Sequence, residues 1–312
     1  MNFPFPLQTE LTQIALSYQN EAFIADQVLP KVPVGSRSFK WLKHTKEERF
    51  TIPETIVGRK GAPTEVEFTA TEQAATVSDY GLDDVVPVED VESAPAGVNP
   101  IGKAVEGIAE LIMLDREKRV ADTIFAAATY PVGNKVTLSG TTQWSDYTNS
   151  DPLTAMLTTM DGMLIRPNTL VLSQAVWTKL RLHPKLIAAL YPGGGNAAQG
   201  GIFAGAENLA QLLELDRVII GKGWHNTAKP GQTASMARLW GKHAAMLYLN
   251  PSAGPTNGVT FGFTASWGGR VAGSIPEPKV GLRGGTRVRA GETLKELIVA
   301  SDVGYFFENA IA

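Results

Sequence analysis

The 312 residues include no cysteine. Disulfides, thiolate nucleophiles and cysteine-based metal sites are therefore excluded, and the composition fits a protein kept in a reducing cytoplasm. No apolar run approaches the roughly 20 residues that a membrane-spanning helix needs. The start, MNFPFPLQTE, carries two early prolines and no cationic stretch leading into an apolar core, so it does not read as a signal peptide. A charge excess is missing too: 28 Lys and Arg face 31 Asp and Glu, a net charge of −3. The concentrated basic surface of a sequence-reading nucleic-acid binder is not expected. The four histidines, His44, His183, His225 and His243, fall in separate segments, with no i, i+4 pair and no His-Glu-x-x-His motif. There is no Gly-x-Ser-x-Gly elbow, and no carboxylate pair is marked out for acid and base roles. The chain reads as a non-enzyme without cofactor or metal.

Two glycine motifs invite a nucleotide reading and fail it. Gly97-Val-Asn-Pro-Ile-Gly102-Lys103 has phosphate-loop spacing, but Ala104 stands where a magnesium-holding hydroxyl belongs and Pro100 removes an amide from the cradle. Asn99-Pro100 as a helix cap and first helical residue explains the same letters. Gly221-Lys-Gly223 follows a strand, yet Asn226 occupies the third glycine position and a surface loop is the simpler account. The glycine-rich run 192–201 reads as a flexible loop.

With 44% apolar and 19% charged residues the chain is globular, and its length suggests about two domains. Its most informative stretch runs from Asn99 to Tyr130 without an internal proline beyond the opening Pro100, predicting one helix of roughly 45 Å. Ile101, Val105, Ile108 and Ile112 share one side. Beyond residues 114–117 the apolar side changes, and Val120, Ala121, Ile124, Phe125 and Ala128 gather where the charges had been. The two halves need different partners.

Before this helix, Leu7, Leu11, Ile14 and Tyr18 repeat at helical spacing, giving an arm-like start. Alternation at Ser38 to Lys43 and again at Glu65 to Thr71 predicts two strands joined by an excursion, an extended hairpin. After it, Asp151-Pro152 opens a sequence of alternating helices and strands that ends near Asn250, a small α/β domain. The remainder is glycine-rich and β-forming, ending in a long strand from Leu294 to Phe307. The fold class is therefore α+β.

Charge is unevenly placed. Lys31 to Lys60 holds eight basic and three acidic residues, and Glu65 to Glu92 holds nine acidic and none basic. Such blocks serve either as solvated faces or as complementary patches between copies of the chain. On the second reading the candidate assembly contacts are Lys40, Lys43, Lys46, Arg49, Arg59 and Lys60 on the basic stretch. Asp79, Asp83 and Asp84 lie on the acidic stretch, and Asp115 and Arg119 on the long helix.

Arm, hairpin, long helix, inserted α/β domain and returning strands, in that order, resemble the major capsid proteins of tailed bacteriophages with the Hong Kong 97-type fold. The stretches that carry the resemblance are Phe23 to Pro30, Asp79-Tyr-Gly-Leu-Asp83, Glu110 to Arg119, Asn134 to Gly140, Val271 to Pro276 and Leu297 to Asn309. By that resemblance residues 1–37 would be an N-terminal arm and 38–70 an extended loop. Residues 71–150 and 251–312 would form a peripheral domain with the long helix as its spine, and 151–250 an axial domain, with the loop at 193–201 near a capsomer axis. The resemblance implies self-assembly as hexamers and pentamers into an icosahedral head around packaged double-stranded DNA, in a virion assembled in the bacterial cytoplasm. A separate scaffolding protein, or else an earlier cleavage, is implied, with a portal as a further partner; the DNA would be held by non-specific contact and no membrane is involved. No lysine, asparagine and carboxylate trio for covalent cross-linking can be assigned. Removing residues 1–37, or reversing charge at Lys40, Lys43 and Lys46, is expected to spare the fold and impair shells. An encapsulin-like compartment and an α/β enzyme are the alternatives.

Overall fold

Asn99 starts the long helix by accepting a hydrogen bond from the amide of Gly102 at 3.1 Å, while Pro100 occupies the first helical position, where no amide is needed. In the computed structural model, which describes residues 5–17, 20–44, 51–66, 70–191 and 204–312, this helix runs Pro100–Ile124. It ends six residues before the expected Tyr130 because its last carbonyls are captured: Thr129 Oγ1 donates to Thr123 O at 2.7 Å and the Tyr130 hydroxyl to Ile124 O at 2.9 Å. Side chains thus satisfy the orphan acceptors of a helix terminus, and the chain turns into a short 3-10 segment, Ala127–Thr129.

Two five-stranded sheets flank the helix. In the first, Gly285–Ile298 is central, antiparallel to Ser78–Pro87, to Val271–Glu277 and to Gly262–Ser266. Lys31–Pro33 adds a parallel strand on Gly262–Ser266. In the second the order is Lys135–Thr137, Gly304–Glu308, Ala244–Leu247, Thr169–Ser173 and Arg217–Gly221. The expected single strand from Leu294 to Phe307 is therefore two strands in two sheets, separated by the 3-10 turn Ser301–Val303. The expected return strand of the hairpin also lies later: Ser38–His44 pairs with Ala70–Thr76, Lys40 facing Ala74.

The face change along the helix is the division between the sheets. Val105, Ile108 and Ile112 pack with Leu11 and Ala15 of the arm and with Val86, Val288 and Ala290 of the first sheet. Val120, Ala121 and Ile124 pack with Val171, Ile219, Ala245 and Phe306 of the second. Both layers belong to the same chain. Residues of alternate parity on the second sheet, Leu170, Leu172, Met246 and Phe307, face a separate core closed by the helices Pro152–Gly162, Gln174–Leu180, Pro184–Leu190 and Ala206–Leu212. That sheet is covered on both sides, and Thr169–Ser173 is buried at every residue.

Part of the arm is core. Ile24, Val28 and Leu29 are 4%, 0% and 0% exposed beside the second half of the long helix. Removing residues 1–37 would uncover this core, which corrects the expectation that the truncation spares the fold.

Candidate functional site

At the point where the helix changes sides, Arg116 and Glu117 are both buried. The change leaves neither residue on a solvent face. Glu117 accepts hydrogen bonds from the amides of Ile24 and Ala25, at 2.7–3.0 Å, and from Trp240 Nε1 at 2.6 Å. Those amides open the short helix Ala25–Val28, so the carboxylate also meets the positive end of that turn. Burial pushes the Glu117 carboxyl above its ordinary value, and the three donors oppose that shift. Arg116 pairs with Asp26 and reaches Thr264 Oγ1 at 3.3 Å.

A second charged link ties down the same arm. Glu292, on the central strand of the first sheet, receives Lys31 at 3.1 Å and Arg270 at 3.3 Å on one carboxylate oxygen, and Arg270 donates to Ala15 O at 2.8 Å. Between the links lies a cavity of about 430 Å³ lined by arm, helix and sheet, including Asp26, Lys31, Arg116, Arg270 and Glu292. The arm is held both by its buried apolar residues and by paired charges around this cavity.

The acidic strand Ser78–Pro87 is largely neutralised by its own chain. Asp83 takes Arg289 through two contacts of 2.6 Å and Arg287 at 3.5 Å, and Arg287 also binds Glu277 at 2.7 Å. Arg289 first, and Arg287 with it, holds the Asp83 carboxyl below its ordinary value. Asp79 is held low by Thr293, which donates at 2.6 Å, and by Arg37 at 2.5 Å. Asp84 accepts from the adjacent amide of Val85. Arg119 pairs with Asp115, contacts Glu296 at 3.0 Å, and lies over the Tyr80 ring at 3.7 Å, so it bolts the helix to the first sheet.

On the hairpin, Lys40 pairs with Glu72 of the return strand at 2.5 Å. Lys43 stands in the strand Ser38–His44, and Arg59 and Lys60 are exposed in the segment 51–66 together with Ile52 and Ile56, 94% and 84% exposed. Lys46, Arg49 and the glycine-rich loop lie outside the described residues. The structure thus groups Asp79, Asp83, Asp115 and Arg119 around the first sheet and leaves the described excursion residues apart from them.

Sequence reasoning missed Arg116, Glu117 and Glu292. A charge in mid-helix ordinarily signals solvent, and only the position of Arg116-Glu117 at the change of side could have marked it. Among the described residues no cluster of His, Asp and Glu could hold a metal ion. His183 is buried with Nε2 3.0 Å from Ser150 Oγ, but that hydroxyl donates to Asp146 O at 2.6 Å and both residues are buried, so the pair is structural.

The profile of a family described as phage capsid protein matches residues 70–284. The chain is 48% identical to the major capsid protein of Pseudomonas phage JBD67 over 311 residues, covering 100% of this chain and 99% of that one. Its fold is similar to a phage-related protein from Bordetella bronchiseptica RB50, with TM-score 0.74 and 20% identity over 99% of this chain and 98% of that one. It is also similar to the capsid of cyanophage P-SCSP1u, with TM-score 0.60 and 11% identity over 99% of this chain and 92% of the other.

Proposed function

The chain belongs to the phage capsid protein family, as a major capsid protein, and from that premise we propose that its copies assemble as hexamers and pentamers into an icosahedral head enclosing double-stranded DNA. The observation that carries this reading is the long helix. It braces two sheets of one chain, with arm and charged links fixing the angle between them, which is what a wall subunit requires. A shell transmits load from copy to copy, and obligate interfaces of this kind bury about 2,000 Å² or more.

The arrangement supports a Hong Kong 97-type division of labour. Residues 1–37 act as the arm and 38–70 as the extended loop, the return strand continuing to Thr76. Residues 71–150 and 251–312 make the peripheral domain around the first sheet, and 151–250 the axial domain, completed by the strands Lys135–Thr137 and Gly304–Glu308. The excursion, with Arg59, Lys60, Ile52 and Ile56 exposed, reaches a neighbouring copy. The acidic strand is mostly committed within its own chain, so Asp84 and the apolar residues of the excursion contribute more to copy–copy contact than Asp79 or Asp83. The role is structural, not catalytic. A separate scaffolding protein and a portal complete the assembly in the host cytoplasm, and the product is the virion capsid.

Electron microscopy of the expressed chain, with and without its scaffold, tests the reading. Shells or capsomers are the expected outcome; discrete small oligomers under every condition would overturn it.

A further inference from the structure

Many cations of this protein have an acidic partner. Lys31, Arg37, Lys40, Arg116, Lys118, Arg119, Arg166, Lys185, Arg270, Arg283, Arg287 and Arg289 each pair with a carboxylate. From Arg217 to Pro276 the sequence has no acidic residue. Within it, Lys222, Lys229, Arg238 and Lys242 flank or sit on the two-stranded ribbon Trp224–Asn226 and Met236–Arg238, and none has a carboxylate partner among the described residues.

The ribbon is a built feature. Trp224 faces Arg238 in register, and the guanidinium lies over the indole at 4.4 Å, yet the tryptophan is 46% exposed and Met236 58% exposed. Asn226 Oδ1 accepts from the amides of Ala228 and Ser235, at 3.0 and 2.9 Å, which holds the connecting loop closed. That loop exposes Gln232, Thr233 and Ser235 as well as Lys229, the mixture of hydroxyl, amide and ammonium groups that contacts phosphate oxygens without reading sequence. An exposed tryptophan that holds an arginine in place has no role in the chain's own core.

We propose that this ribbon, residues 222–238, is a contact site for the phosphate backbone of duplex DNA, through Lys222, Lys229 and Arg238, with Trp224 orienting Arg238. The proposal rests on the reading of the chain as a DNA-enclosing shell and names where that contact is made. Charge complementarity selects the occupant: Lys222, Lys229 and Arg238 have no carboxylate partner among the described residues, which suits a polyanion, and DNA carries one charge per about 1.7 Å of its axis.

The test compares the full-length wild-type chain with the triple variant Lys222→Gln, Lys229→Gln, Arg238→Gln and the double variant Lys222→Gln, Lys229→Gln. Short duplex DNA binding to unassembled protein is titrated across salt concentrations, with polyglutamate as a second probe. The triple variant is expected to lose at least about tenfold in affinity at low salt, and its log Kd to log salt slope to shallow by about 2.7, from three lost phosphate contacts. The double variant, which changes only the two lysines, should shallow it by about 1.8. Both should still form shells. Unchanged DNA affinity and slope, or lost polyglutamate binding with DNA binding intact, overturns the site. Lost shell formation with DNA affinity retained also overturns it, making the ribbon a contact between copies. A wild-type chain that forms no shells strikes the shell reading instead, while the DNA titration still decides the ribbon. In filled heads, Lys222 and Lys229 should be acylated more slowly than in DNA-free shells; equal rates overturn the proposal.

Discussion

Trp240 donates its indole N–H to Glu117 at 2.6 Å, joining positions 123 residues apart and linking the turn after a surface ribbon to the middle of the long helix. The same carboxylate takes two arm amides, so one side chain fixes three segments that share no strand or helix. Glu117→Ala leaves three buried donors without an acceptor and should cost roughly 3 kcal/mol, read as a lower midpoint in urea. Glu117→Gln keeps an acceptor and separates charge from hydrogen bonding. Because burial raises this carboxyl, its contribution to stability is full below the ordinary 4.5 and is lost as pH rises through the raised value. The stability of wild type relative to Glu117→Gln should fall over that window, and a pH-independent difference would contradict the assignment.

Asp83 behaves in the opposite sense. Its carboxyl is held below the ordinary 3.8 by Arg289 and Arg287, so its stabilising contribution is present above that value and is lost as pH falls through the lowered one. Asp83→Asn should therefore flatten the acid limb of the stability curve. At neutral pH the loss should be modest, about 0.5–1 kcal/mol, because the group is partly exposed.

Leu29 is fully buried in the core beneath the second sheet. Leu29→Ala should cost about 2–4 kcal/mol. Lys40→Glu, whose partner Glu72 is exposed on the hairpin, should leave the unfolding midpoint nearly unchanged while reducing the yield of shells in electron micrographs. Together the two variants separate the arm as core from the hairpin as contact.

Gly221 ends a strand directly against Trp240. A Cβ there would stand 2.2 Å from the indole, which is itself fully buried. Gly221→Ala should therefore displace Trp240 from Glu117 and destabilise the fold by about 2–3 kcal/mol, seen as a change in near-ultraviolet circular dichroism as well as in Tm.

Much of this architecture can be read in the letters. Asn99-Pro100 and Asp151-Pro152 announce helix starts because a short polar cap and an amide-free first residue solve the same local problem wherever they occur. The change of side in the long helix is visible as a shift in apolar phase. Meetings between distant segments leave no such local trace. Arg116 and Glu117 look like solvent residues until the arm covers them. The run from Leu294 to Phe307 keeps a strand's pattern although it leaves one sheet and enters another, since alternation records burial without recording the partner. The acidic stretch reads as a free patch because its neutralising arginines lie some two hundred positions away.

Gly304–Glu308 lies inside the second sheet, between Lys135–Thr137 and Ala244–Leu247, so its neighbours are laid down long before it is synthesised. Until this strand is in place, Phe306 and Phe307 are missing from two different cores and the sheet has a gap at its second position. Closure of both cores is thereby a single event, made by a strand that lies far along the chain from the two it joins.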